Sequence, residues 1–173
     1  GGTAAAGARD ALPDGCYRNT ISNSFGTEYS RNNALAFQNI LSLNDYGYTG
    51  AGVKVAVVDS GIDFSHQEFS GRTSYGRDFA SSASGPGEDE SGHGTHVASI
   101  IAGIRNGTGM RGVAYDAILY SYKVDNDGDP AFEGLSSDGA IANIFDKHVT
   151  DGIQVSNNSW GSGCLLYTSD AAD

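Results

Sequence analysis

The chain has 173 residues, with 21 acidic against 10 basic side chains, 25 glycines and only 3 prolines. That length is enough for one domain with a buried core. A net charge of −11 argues against nucleic acid or an anionic membrane as partner and suits a soluble, secreted protein, although a merely solvated acidic surface would look the same.

No apolar run approaches the roughly 20 residues of a membrane span, so no membrane contact by this segment is expected. The chain opens without Met and without a signal-peptide pattern, so any targeting segment is expected to lie outside these residues. Two cysteines, Cys16 and Cys164, fix no disulfide framework.

Residues 1–8 (GGTAAAGA) are low in complexity, and residues 9–30 are polar and turn-rich. Residues 1–30 are therefore expected to be a flexible start. Asn33–Leu43 has helix-like apolar spacing and ends at YGYTGAG. Val53–Asp59 (VKVAVVD) is continuously apolar and β-branched, as a strand buried on both faces should be. Residues 70–92 are rich in Ser and Gly and read as a surface loop.

The next segment predicts a helix with Val97, Ile100, Ile101 and Ile104 on one stripe and small residues elsewhere. After a turn at Asn106–Gly109, a second strand is expected at Ile118–Val124. A second helix follows, striped by Ile141, Ile144, Phe145 and His148, and a third strand near Ile153–Asn157. This alternation predicts an α/β domain with a parallel sheet.

In such sheets ligands bind where strand carboxyl ends meet helix amino ends. Asp59 ends a strand, and His93 opens a helix on its striped face, with its ring expected toward the sheet. A carboxylate beside an imidazole fixes the tautomer and leaves the other ring nitrogen free as a general base. His96 lies toward the stripe's flank and is expected to be support.

The segments DSGID (Asp59–Asp63) and GHGTHVA (Gly92–Ala98) together resemble the subtilisin-like serine proteases (peptidase S8). GTGMRGVAYDA (Gly107–Ala117) also fits that family, and the resemblance runs from residue 45 to 161. It implies a three-layer α/β fold with a parallel sheet. It also implies serine endopeptidase activity, with Asp59 and His93 as catalytic residues and polypeptides as substrates. NNSWG (Asn157–Gly161) resembles the family segment that pairs with substrate as an extended strand, so Ser159, Trp160 and Gly161 become substrate-binding candidates. Trp160 as plain core is the simpler alternative. The lead-in from EYSRNNALAF through GYTGAGV is similar to protease passenger domains of bacterial autotransporters. The location implied is secreted or cell-surface, in a bacterium.

No organic cofactor is implied. His93 and His96 make a poor zinc pair, since no third His or Cys follows in a ligand-like pattern. DNDGD (Asp125–Asp129) hints at an EF-hand loop, but Pro130 stands at its sixth position and Ser136 at its twelfth. The family resemblance implies instead a structural calcium site. Its ligands would be the Glu68 carboxylate, the Asn106 side chain and the carbonyls of Ile104, Thr108 and Met110. An ordinary NGTG turn beside an unrelated Glu is the plain alternative.

The family's nucleophile motif, G-T-S-M-A-like, and its oxyanion-hole Asn have no match in this chain. The tail CLLYTSDAAD, residues 164–173, back-translates to a transposase adapter used in sequencing libraries. It is read as non-native, so residues 31–163 are expected to be part of a peptidase domain. This chain alone is then expected not to cleave peptides. The alternative is a non-catalytic subtilase-like module for peptide binding or adhesion. The presence of both Asp59 and His93 weighs against it.

Overall fold

The computed structural model describes residues 9–11, 17–19, 28, 35, 38, 40–126, 135 and 137–160. The boundaries expected at residues 30 and 163 lie outside the described residues, as do the tail and Gly161. A short antiparallel ribbon pairs β1 (Arg9–Ala11) with β2 (Tyr17–Asn19). Helix α1 (Ile40–Asp45) overlaps the end of the expected helical segment and runs past it. It buries Ile40 and Leu41, which cluster with Leu35.

The domain's centre is β3 (Lys54–Asp59). Its β-branched run is flanked on one side by β5 (Ile118–Lys123) and on the other by β6 (Val155–Asn158), both parallel to it. Side chains on a strand alternate between faces. Val55 and Val57 accordingly pack on one side with Ile62, Phe69, Leu119, Ala98 and Ala102. Ala56 and Val58 pack on the other with Tyr120, Tyr122, Val124 and Ile144. Each fully buried aliphatic side chain of this kind stabilises the fold by about 1.5–3 kcal/mol. The result is three layers: α2 (His93–Ala102) on one face of the sheet and α3 (Asp138–Asp151) on the other.

Both helices face the sheet differently from the predicted stripes. Helix α2 buries Gly94, Ala98, Ser99 and Ala102, while Ile100 is 41% exposed and Ile104 lies beyond the cap at Gly103. Small side chains win because the helix backbone comes close to the sheet, with Val97 and Ile101 filling the flanks. In α3 only Ile144 is buried and Phe145 is 56% exposed. Neighbouring helix positions are about 100° apart, and the contact with Tyr122 is made through Ile144 and His148. Ser137 caps α3 by accepting from Ala140 N at 3.1 Å, and Gly152 closes it in the left-handed conformation.

The expected loop at 70–92 contains a strand, β4 (Tyr75–Asp78), which pairs in parallel with β5. The sheet order is β4-β5-β3-β6. Tyr75 stacks on Tyr120 with centroids 5.0 Å apart. Gly76, at φ +135°, lies so close to the neighbouring strand that a Cβ would sit 1.8 Å from the Ser121 carbonyl oxygen. Replacement Gly76→Ala is expected to destabilise the chain by about 1–3 kcal/mol. The readout is a lower urea midpoint at unchanged slope. An unchanged midpoint would show that β4 does not approach β5 in this way.

Candidate active site

Parallel register places the site. Asp59 ends β3 opposite Lys123 of β5, and Val58 is opposite Asn158 of β6, so Ser159 follows at the level of Asp59. Helix α2 begins at the same edge. Its first turn is held against the strand end by Gly94, where a Cβ would sit 2.1 Å from the Gly61 carbonyl oxygen and 3.2 Å from Asp59 Oδ1. Only Gly allows that approach, and it brings the His93 ring to the carboxylate.

His93 Nδ1 lies 2.7 Å from Asp59 Oδ1. Asp59 is 4% exposed, whereas the His93 side chain is 56% exposed. The sequence placed His93 on the striped face of the helix, its ring toward the sheet from the first turn. It stands at the rim, with one nitrogen toward the strand end and most of its ring in solvent. The same Asp59 Oδ1 accepts from Ser60 N at 2.8 Å. Oδ2 is buried without a hydrogen-bond partner among the described residues. The hydrogen bond that His93 donates to Asp59 and the charge of that carboxylate raise the His93 pKa above the ordinary imidazole value, with Asp89 and Asp125 adding to the field against the opposing effect of burial. With Nδ1–H donated to the carboxylate, Nε2 presents a lone pair to the cleft. This arrangement can take a proton from a hydroxyl and hold the resulting imidazolium.

Around this pair lie residues that sequence reasoning left unassigned. Asp89 accepts from Ser60 Oγ at 2.8 Å, Gly92 N at 2.9 Å and Thr95 N at 2.8 Å, and from the Thr95 hydroxyl. It thereby caps α2, whose own N-cap, Gly92, has no side chain to do so. An Asp four residues before His93 was the available signal. Thr95 Oγ1 also accepts from Asp63 N at 2.9 Å. Lys123 is buried and donates to Glu88 O at 2.6 Å and Glu90 Oε2 at 3.0 Å, pinning the loop before α2. His96 is exposed.

Of the substrate candidates, Ser159 and Trp160 follow β6 directly, with Ser159 Oγ accepting from Asn157 Nδ2 at 2.6 Å. Trp160 is 39% exposed, so it is not plain core. Among the metal candidates, Glu68 is 5% exposed and lies against the 104–110 turn. Its carbonyl accepts from Ile104 N at 2.9 Å, and its Oε1 from Met110 N at 3.1 Å. Asn106 Oδ1 accepts from Thr108 N and Oγ1, each at 2.9 Å. Glu28, also buried, accepts from Asn106 N at 2.7 Å and Gly107 N at 2.6 Å. A lone Glu in a polar segment gave no sequence signal for that role.

The raised His93 pKa has a stability sign. It stabilises the folded state fully below the unfolded imidazole value of about 6.5, and that contribution is lost as pH rises through the higher folded value. NMR titration of this chain is expected to place the His93 midpoint above that of a free imidazole, and Asp59→Asn is expected to lower it. An unshifted His93 in the unaltered chain would count against the contact.

Known proteins resemble this chain in sequence and in fold. Residues 50–172 match the Subtilase family, Peptidase S8. Subtilisin E of Bacillus subtilis is 44% identical, over 74% of this chain and 39% of that protein. The minor extracellular protease Vpr of the same species is 36% identical, over 68% of this chain and 15% of that protein. The crystal structure of fervidolysin from Fervidobacterium pennivorans, a keratinolytic enzyme related to subtilisin, superposes with TM-score 0.60 at 23% identity, over 85% of this chain and 24% of that one. This chain thus spans about two fifths of the length of subtilisin E. By motif, by sheet topology and by the extent of these matches, the chain belongs to the subtilase family of serine peptidases.

Proposed function

We propose that the protein to which these residues belong is a serine endopeptidase acting on polypeptides outside the bacterial cytoplasm. The observation that carries this reading is the 2.7 Å contact between His93 Nδ1 and Asp59 Oδ1 at the carboxyl edge of the sheet. Asp59 holds the ring in one tautomer and orientation. His93 Nε2 takes the proton of a serine supplied from outside these 173 residues. The serine oxygen attacks the scissile carbonyl, and an acyl-enzyme forms. His93 returns the proton to the leaving amine, and the acyl-enzyme is then hydrolysed.

The substrate would lie as an added strand along Ser159–Gly161, through main-chain hydrogen bonds that tolerate many side chains. Support comes from the register that sets Ser159 level with Asp59. The extracytoplasmic location is supported by kinship with an extracellular Bacillus protease. No helix among the described residues is long and apolar enough to cross a membrane.

A structural calcium ion fits the turn at 104–110. Glu68 Oε2 is buried without a hydrogen-bond partner among the described residues, as a carboxylate oxygen reserved for a cation would be. Glu68 and Asn106 with the carbonyls of Ile104, Thr108 and Met110 would offer the oxygen-only set that a hard cation takes. Bound there, the ion would tie the segment after β3 to the turn after α2.

Two measurements test these assignments. The protein expressed from the longer source reading frame is expected to hydrolyse peptides, and the 173-residue chain alone is not. In the longer protein, His93→Ala and Asp59→Asn are expected to lower turnover by about 10⁶-fold and about 10⁴-fold, the scale known for the corresponding residues of subtilisin itself. Full activity in either variant would remove that residue from the mechanism. Calcium is expected to raise the melting temperature of the longer protein, by the equivalent of about 2.7 kcal/mol at a hundred times its dissociation constant. No change with calcium, or an equal rise in Glu68→Gln, would refute the site.

A further inference from the structure

Asp59 Oδ1 is contested. It lies 2.7 Å from His93 Nδ1, 2.8 Å from Ser60 N and 3.3 Å from Ser60 Oγ. The Ser60 hydroxyl has a single proton to donate. Two carboxylates stand within its reach: Asp59 Oδ1 at 3.3 Å and Asp89 Oδ1 at 2.8 Å. Gly94 N donates to the same hydroxyl oxygen at 3.0 Å, which occupies one lone pair and leaves the proton to choose between the two acids.

Asp89 is built to win that choice. Burial pushes its carboxyl up, but hydrogen bonds from Thr95, Gly92 and Ser60 outweigh this and hold it below the usual carboxylate value. It is therefore ionised at neutral pH and a strong acceptor. It is also fixed in place, because Ser91 N, Gly92 N and Thr95 N all point at it from the start of α2.

We propose that Asp89 is a positioning residue for the Asp59–His93 pair: it draws the Ser60 hydroxyl proton to itself, which leaves Asp59 Oδ1 to the imidazole N–H and the Ser60 amide. Asp89 acts through Ser60 and the first turn of α2, to which it is hydrogen-bonded. This role rests on the reading of Asp59 and His93 as the catalytic pair. Without Asp89 the hydroxyl turns to Asp59 Oδ1, and a third donor shares the charge that the ring depends on. Asp89 also acts on His93 through space, as Asp59 and Asp125 do, so the test must separate relay from field.

A double-mutant cycle separates them. The 173-residue chain is compared with Asp89→Asn, Ser60→Ala and the double variant, reading the His93 Nδ1 proton resonance and titration midpoint by NMR. Asparagine keeps an acceptor for the start of α2 while removing the charge. Asp89→Asn is expected to lower the midpoint and weaken the Nδ1 proton signal. The same replacement in the Ser60→Ala background is expected to lower it less, because only the through-space part remains. Equal falls in both backgrounds, or none, would overturn the proposal. Ser60→Ala alone provides an arm that leaves Asp89 and its bonds from Gly92 N and Thr95 N in place. It is expected to leave the midpoint unchanged, and a rise would show that the hydroxyl already sits on Asp59, which also overturns it. If His93 in the unaltered chain shows no carboxylate-bonded Nδ1 proton and titrates as a free imidazole, the catalytic pair itself fails, and the role of Asp89 goes with it.

Discussion

A carboxylate buried at the end of the central strand is the constraint on which the rest of the site depends. Asp59 is 4% exposed, and burying an ionised group without partners is costly. The chain meets that cost locally. The next residue's amide donates to Asp59, and the imidazole of an approaching helix supplies a second donor. That approach requires a helix face without side-chain bulk, which Gly94, Ala98 and Ala102 provide. One buried acid thus explains both the Ser-Gly that follows β3 and the small residues of α2.

The pair was legible in the sequence because each half carries its own physical signature. A continuous β-branched run ending in Asp59 reads as a buried strand with an acid at its end. A Gly-His-Gly-Thr-His segment before a run of small and apolar residues reads as a helix start. Less legible was which side of that helix faces inward. Hydrophobic periodicity weights large residues, whereas here the backbone's proximity to the sheet selects small ones and turns Ile100 outward. Strand β4 was hidden for a related reason. YGRD has little apolar content, and its placement depends on stacking of Tyr75 over Tyr120 from a distant strand. Glu28 and Lys123 gave no local hint of burial, because their partners lie far along the chain.

Electrostatics links the chain's overall acidity to the proposed chemistry. A general base needs proton affinity close to the working pH. Asp59, Asp89 and Asp125 all raise that of His93, while solvent exposure of the ring keeps it accessible. The one buried ammonium at this edge among the described residues, Lys123, is spent on a loop carbonyl and Glu90. The negative field at His93 therefore accompanies a cationic anchor that holds the preceding loop rather than the ring.

The strand, helix and strand that frame the pair follow one another in the chain with only the short strand β4 and a single 3-10 turn between β3 and α2, and Asp59 and His93 are 34 positions apart. Contacts between neighbours in sequence carry a smaller loop-closure cost and form faster than distant ones. During synthesis from the amino end, β3, α2 and β5 emerge before α3 and β6. The acid and the base would then take up their mutual geometry as one early-folding unit, and later segments would dock onto an edge whose chemistry is already in place.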